Sequence, residues 1–365
     1  METLSLTVDS PDVLADRLFE SAVATFDLFS VYLGDKLGYY RTLAEHGELT
    51  HAELAVLTNT NERYAREWLE QQVASSILQV DDPSKPQAER RFRLPEGYGA
   101  VLASEDDLSF LPPLAQVVVG ALHPLKQLVD AYQTGNGVPY ADYGVDLVDG
   151  QGRMNRNFFL QQLGPEYLAE IPGLSEKLES GGRIADVGCG VGWSSIGLAK
   201  AFPGVHVDGF DLDELSVERA QANVRQFGVS DRVSFRLQDI SDPDLAGQYD
   251  LVIAVECVHD MGDPVAALRT MKRLAKQDGL VLVVDERTAE SLTPNADLLE
   301  RLLYGFSAFH CLPVGIADCP EHSCAATGTV MRTETLRNYA KEAGFRDLEV
   351  LPLDYDLFRF YRLVR

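Results

Sequence analysis

Long apolar runs, paired cysteines and positive charge are what this 365-residue chain has little of. No stretch approaches the roughly 20 apolar residues that a membrane-spanning helix requires. Met1-Glu-Thr-Leu-Ser-Leu-Thr-Val-Asp9 shows no basic region followed by an apolar run. The expectation is a soluble, cytoplasmic protein. The cysteines, Cys189, Cys257, Cys311, Cys319 and Cys324, are odd in number and scattered, without a C-x-x-C pair, which argues against a secreted disulfide framework. With 32 basic against 56 acidic residues the formal net charge is -24, a surplus that repels polyphosphate backbones and makes nucleic acid a poor substrate. No internal repeat or low-complexity tract is present, and the apolar share of 45% is ample for conventional cores.

The missing third glycine of a dinucleotide turn is equally informative. Arg183-Ile-Ala-Asp-Val-Gly-Cys-Gly-Val-Gly-Trp193 reads as a short buried strand, a glycine-rich turn and the start of a helix, the pattern of a nucleotide-type cofactor site. The glycines are spaced G-x-G-x-G, and Trp193 stands where a pyrophosphate-binding turn keeps its last glycine. NAD is therefore the weaker alternative.

Around this turn the chain divides into halves. Leu14, Leu18, Val23, Phe26, Phe29 and Leu33 recur at helical spacing and form a stripe that needs a partner. Short helices follow over Leu37–Ala44, Thr50–Ala55 and Asn61–Leu69, and Ser76–Val80 with Arg91–Leu94 suit a two-stranded wing. Residues 1–110 thus read as a mainly α winged-helix domain. Its would-be recognition helix carries Glu62, Arg63, Arg66, Glu67 and Glu70, which favours docking and dimerisation over DNA reading. Residues 111–175 read as a helical linker whose Gly- and Tyr-rich loop, Thr134 to Gly152, suits one wall of a substrate cleft. From 176 to 365 strands and helices alternate, as in a doubly wound, mostly parallel α/β sheet, and the last two strands form an antiparallel C-terminal hairpin.

The second half resembles the class I S-adenosylmethionine-dependent methyltransferases, with Asp186-Val-Gly-Cys-Gly-Val-Gly in place of that family's glycine motif. The resemblance implies S-adenosylmethionine as cofactor and assigns it residues at the carboxyl ends of the strands. Gly188, Cys189, Gly190 and Gly192 offer backbone N–H groups to the methionine carboxylate. Asp186 orients the methionine portion, Asp211 takes the ribose hydroxyls, Asp239 takes the adenine amino group, and Leu212, Ile240 and Val255 are further cofactor-binding candidates. Each Asp has a plainer reading as a turn former, and Gly192 and Cys189 as packing residues.

Glu256-Cys-Val-His-Asp-Met-Gly-Asp263-Pro264 follows the fourth strand. With the winged half, it resembles small-molecule O-methyltransferases of plants and bacteria, whose His-Asp-Trp supplies a catalytic histidine. Here Met261 replaces the Trp. The resemblance makes His259 the general base, supported by Asp260 and by Glu286 at the end of the fifth strand, and makes the chain a homodimer through its N-terminal domain. A neutral imidazole matches a phenolic or enolic hydroxyl better than an aliphatic one. Trp193, Tyr304, Phe309 and His310 are candidates for the wall around a small-molecule substrate. Two alternatives stand: a winged-helix regulator that binds cofactor and DNA, and thiol-mediated metalloid methylation if Cys311, Cys319 and Cys324 converge. No metal is expected otherwise, since the thiols lack zinc-knuckle spacing.

Overall fold

The computed structural model describes residues 10–242, 244–318 and 324–365, which fall into two compact units, 1–119 and 120–365. The first unit is helical. α1 (Pro11–Lys36) starts from Ser10, whose side chain accepts from the Val13 N–H, with Pro11 in the first turn. α2 (Tyr39–His46), α3 (His51–Thr58) and α4 (Glu62–Ala74) follow. Thr50 and Glu53 form a reciprocal capping box at α3, and Asn61 caps α4. β1 (Gln79–Val80) and β2 (Phe92–Arg93) pair antiparallel, a shorter wing than the sequence pattern allows. Tyr39, Tyr40, Leu43, Leu54, Leu69 and Phe92 make the core. Trp68 joins it by donating its indole N–H to the Ser30 carbonyl at 2.8 Å. α5 (Tyr98–Leu102) ends the winged part, and α6 (Pro112–Ala121) straddles the division between the units.

In the second unit, α7 (Leu125–Thr134), a 3-10 turn over Tyr140–Tyr143, and α8 (Val145–Phe158) lead into a wide π-type turn, Phe159–Tyr167, and α9 (Leu174–Glu179). The sheet comprises β3 (Arg183–Val187), β4 (His206–Asp211), β5 (Val233–Leu237), β6 (Tyr249–Val255), β7 (Ala275–Glu286), β8 (Asp347–Val350) and β9 (Phe358–Val364). Its order is β5-β4-β3-β6-β7-β9-β8. The first five strands in that order are parallel, while β9 runs antiparallel to both β7 and β8. This is the mostly parallel, doubly wound sheet with an antiparallel C-terminal hairpin that the strand rhythm predicts.

The parallel strands are nearly continuous apolar runs because both faces are covered: all seven residues of β6 are buried. Ile184, Leu251, Ile253, Leu282 and Val284 face one core, and Ala185, Val187, Val252, Ala254 and Val283 the other. Helices α10 (Trp193–Ala201), α11 (Glu214–Gln226), α12 (Pro264–Leu274) and α15 (Thr333–Glu342) belong to this alternation, with α13 (Leu298–Phe306) and α14 (Leu312–Ala317) inserted between β7 and α15. Asp263 caps α12, accepting from the Ala266 N–H at 2.8 Å, with Pro264 at its first position. Strand order reverses direction between β3 and β6. In sheets of this kind, ligands bind in the crevice outside the carboxyl ends at such a switch point.

Candidate active site

The glycine turn lies at that point because β3 ends beside β4. Gly188 and Cys189 N–H groups both donate to the Phe210 carbonyl, at 2.9 and 3.1 Å. Gly190 N–H donates to Asp211 Oδ2 at 2.7 Å, and Asp213 N–H to Asp211 Oδ1 at 2.9 Å. Gly188 has φ +66°, and a Cβ there would meet Cys257 Sγ at 2.6 Å. Gly192, at φ +86°, would put a Cβ 2.6 Å from the Phe235 ring, so this glycine serves helix–strand packing. Cys189 is a buried filler of the turn.

Each carboxylate of the series has a distinct setting. Asp186 is buried, and its Oδ2 accepts from the Ser194 and Ser195 hydroxyls, both at 2.6 Å, which ties the start of α10 to β3. Burial outweighs these hydrogen bonds and pushes its pKa up to about 6. Burial also raises Asp211, against the backbone N–H groups that it accepts from. Asp239 is exposed, and its Oδ1 accepts from the Ser241 N–H at 2.7 Å. Leu212 is exposed, while Ile240 and Val255 are buried. Tyr140, in the Gly- and Tyr-rich loop, donates to Gln151 Oε1 at 3.1 Å, and its phenol is raised by burial and by the charges of Asp211, Asp213 and Asp260. It stands near Asp211, a position that the sequence pattern signals only by the composition of its loop.

β6 ends with Glu256, which has a left-handed φ of +53°. Its N–H donates to the Val284 carbonyl at 2.8 Å, and its Oε2 accepts from Asn155 at 2.5 Å. A non-glycine residue in this conformation stores strain of about 1–3 kcal/mol, the kind that clusters at functional sites. The chain then makes a 3-10 turn, Val258–Asp260, that places His259 against the end of β7. His259 Nδ1 lies 2.8 Å from Asp285 Oδ1 and 3.1 Å from Glu286 Oε2, with all three residues buried.

Burial alone would lower the His259 pKa, but the charges of Glu286 and Asp285 outweigh it and hold the imidazole well above its usual range. The Glu286 carboxyl, despite burial, is drawn down to about 2 by the His259 charge and by Asp285. Asp285 is pushed up, chiefly by burial. Asp260 is raised to about 7, again chiefly by burial. Its carboxylate, a His259 ring nitrogen and Cys311 Sγ lie within 4.8 Å of one another.

His259, Asp260, Glu286 and His310 therefore meet in one place, joined by Asp285 and Cys311. Asp285 escapes sequence reading because only the last acid of the strand was expected to face the histidine. The remaining candidates are placed elsewhere. Trp193 packs edge-on against Phe227 at 5.1 Å beneath the Arg156 guanidinium. Tyr304 is exposed and its hydroxyl accepts from Arg332 at 3.0 Å. Phe309 turns its ring largely outward and offers its carbonyl to the Tyr143 hydroxyl at 2.9 Å. Of the three thiols in the metalloid alternative, Cys311 is buried and Cys324 half-buried; Cys319 lies outside the described residues.

Comparisons with known proteins agree with this architecture. Residues 178–344 match the family described as "Methyltransferase domain", and residues 26–104 match the "Rv2258c-like winged HTH domain". A probable chloroplastic tocopherol O-methyltransferase of Oryza sativa subsp. japonica is 33% identical over 142 residues, covering 37% of this chain and 38% of that protein. Norajmaline N-methyltransferase of Rauvolfia serpentina is 32% identical over 119 residues, covering 32% of this chain and 40% of that protein. The chain thus spans about two fifths of the length of these relatives. Human N-acetylserotonin methyltransferase, solved with S-adenosylmethionine, superposes with a TM-score of 0.69 at 18% identity, covering 98% of this chain and 99% of that one, a likeness of fold.

Residues 178–344 are thus similar to a methyltransferase domain and carry the doubly wound fold of the solved methyltransferases. In this chain they are joined to an N-terminal winged helix-turn-helix domain of the Rv2258c-like type.

Proposed function

We infer that this protein transfers a methyl group from S-adenosylmethionine to a hydroxyl oxygen of a small molecule, with His259 as general base. The observation that carries the reading is the buried Asp285–His259 contact at 2.8 Å beside the glycine turn, at the switch point where ligands of such sheets bind.

The residues present fit the cofactor. The N–H groups of Gly188, Cys189, Gly190 and Gly192 are held within the protein, by the Phe210 carbonyl, Asp211 and the Cys189 carbonyl, so the part of the site that suits a carboxylate is the start of α10. Asp211 retains lone pairs for two ribose hydroxyls beside its backbone bonds, and Asp239, exposed at the end of β5, suits an amino group. When bound, S-adenosylmethionine supplies an electrophilic methyl group. The chain's own work is to orient the acceptor and to move one proton. Asp285 and Glu286 engage His259 Nδ1, which fixes the ring, and Nε2, where the Cys311 thiol is the neighbouring group, is the nitrogen that the acceptor hydroxyl must reach. The proton of that hydroxyl passes to Nε2, and the carboxylates stabilise the imidazolium that results. Glu256 and Asn155 complete the wall between β6 and α8.

A base must be neutral to act, and the carboxylates raise the His259 pKa. The kcat/KM profile should therefore climb through an inflection above 6.5. Glu286→Gln, by removing the charge that raises it most, should move the inflection to lower pH. An unshifted inflection in that variant would disconnect the pair from catalysis. Linkage has a definite sign here: a pKa raised on folding gives stability that is full below the unfolded value and fades as pH rises through the folded one.

The same reading makes the chain a homodimer through its N-terminal unit. α1 exposes Leu18, Phe19 and Phe26 at 64%, 73% and 70%, more contiguous apolar surface than a solvated helix usually carries. Light scattering should give twice the 40.3 kDa chain mass, and Phe19→Glu with Phe26→Glu should return it to one chain. A monomeric wild type contradicts this. DNA reading is less well supported. In α4, Arg63 pairs with Glu67 and Arg66 donates to Gln87, while Arg90 of the wing pairs with Glu70. The test of the activity is methyl-labelled S-adenosylmethionine incubated with phenolic and amine acceptors. Label in phenolic ethers supports O-methylation, and label confined to amines refutes it.

A further inference from the structure

His310 is a buried side chain that the chemistry above leaves unused. It lies in the π-type turn Ser307–Cys311 after α13 and is 1% exposed. The Tyr143 ring meets it edge-on at 4.8 Å, and the Tyr140 ring lies at 5.7 Å. Its Nδ1 is 3.3 Å from Cys311 Sγ. Its Nε2 is buried and has no hydrogen-bond partner among the described residues, a condition that folded proteins avoid unless a ligand or water completes the bond.

The protonation state of this pair can be worked out. Burial, with a smaller contribution from the His259 charge, pushes the His310 pKa down to about 3, so the ring is neutral. Burial raises the Cys311 thiol, which keeps its proton. Ring nitrogen accepts a hydrogen bond far better than sulfur does, so in the favoured arrangement of this contact the S–H donates to Nδ1 and the ring proton resides on Nε2. The unpaired atom is therefore a donor, and a ligand that satisfies it must bring an acceptor.

Cys311 Sγ also lies within 4.8 Å of a His259 ring nitrogen. One sulfur thus adjoins both imidazoles. The ionised Glu286 beside His259 and the burial that keeps Glu256 and Asp285 protonated disfavour a second buried charge from a ligand carboxylate and leave a neutral oxygen as the fitting acceptor. The Tyr140–Tyr143 turn, which must move to admit such a ligand, is bounded by Gly135 and Gly144, with φ of +79° and +74°.

Resting on the methyl-transfer reading, we propose that His310 Nε2–H donates to a carbonyl oxygen of the acceptor, whose class is phenols or enols carrying a carbonyl next to the reacting hydroxyl. In the free molecule such a carbonyl holds the hydroxyl proton in an internal hydrogen bond. By taking over the carbonyl, His310 releases the hydroxyl to His259. His310 is then a specificity-determining residue.

The test compares ortho-hydroxyacetophenone with ortho-ethylphenol, a shape-matched phenol without the carbonyl, using the full-length protein and S-adenosylmethionine. The wild type should favour the carbonyl compound by roughly 10-fold or more in kcat/KM. His310→Leu should remove most of that preference, and His310→Gln, which keeps a donor, should restore part of it. Calorimetric affinity for S-adenosylmethionine, unchanged in both variants, verifies their folding. Equal losses for both phenols in His310→Leu, or no preference in the wild type, would overturn the assignment. Methylation of catechol or amines with neither of these phenols turned over would refute the carbonyl class while leaving methyl transfer standing. No methylation of any acceptor would refute both.

Discussion

Replacing His259 with alanine will lower kcat by roughly 10²- to 10⁴-fold, the span over which a positioned proton acceptor contributes, while affinity for S-adenosylmethionine stays close to that of the wild type. The split follows from geometry. His259 stands at the end of β6 with its Nδ1 committed to Asp285 and Glu286, whereas the glycine turn and Asp211 stand at the ends of β3 and β4. Removing the imidazole also leaves Asp285 and Glu286 buried beside each other without their counter-charge. Some loss of thermal stability will therefore accompany the loss of rate, and calorimetric cofactor binding by the variant separates the two. A small kcat effect would reduce His259 to a structural ion pair.

Asp211→Ala will weaken S-adenosylmethionine binding by roughly 10- to 100-fold, the value of one or two hydrogen bonds to a charged acceptor. Asp211→Asn should fall between, since an amide keeps one accepting oxygen. The alanine variant also frees the Gly190 and Asp213 N–H groups that the carboxylate now holds, so the turn itself loosens. Cofactor affinity equal to wild type in Asp211→Ala would remove this residue from the site.

Much of this molecule was legible from its sequence, and the limits have physical causes. The β3 turn announces itself because an apolar strand, three glycines and a helix start are adjacent along the chain, and the local φ values demand those glycines. The Asp263–Pro264 start of α12 is legible for the same reason. Asp285 is different: its meeting with His259 depends on the register of two strands, Val255 opposite Val284, which sets the ends of β6 and β7 level. No local pattern reveals that register.

Trp193 and Tyr304 illustrate the converse. Aromatic type suggests a pocket wall, whereas the contacts these rings make are set by helical phase, which directs Trp193 onto Phe227 and Tyr304 toward Arg332. His310 and Cys311 were visible as residue types in a long insertion. Only the π-type turn after α13 brings them to the histidine that sequence motifs single out. Tyr140 reaches the vicinity of Asp211 from a loop about 70 residues earlier in the chain, and such long-range meetings are what a fold adds to a sequence.

The most direct test of the whole account is calorimetric titration of the purified protein with S-adenosylmethionine and, separately, with NAD. The account predicts saturable binding of S-adenosylmethionine and none of NAD, because the turn lacks the glycine that lets a pyrophosphate approach. Binding of NAD, or of neither, would contradict it.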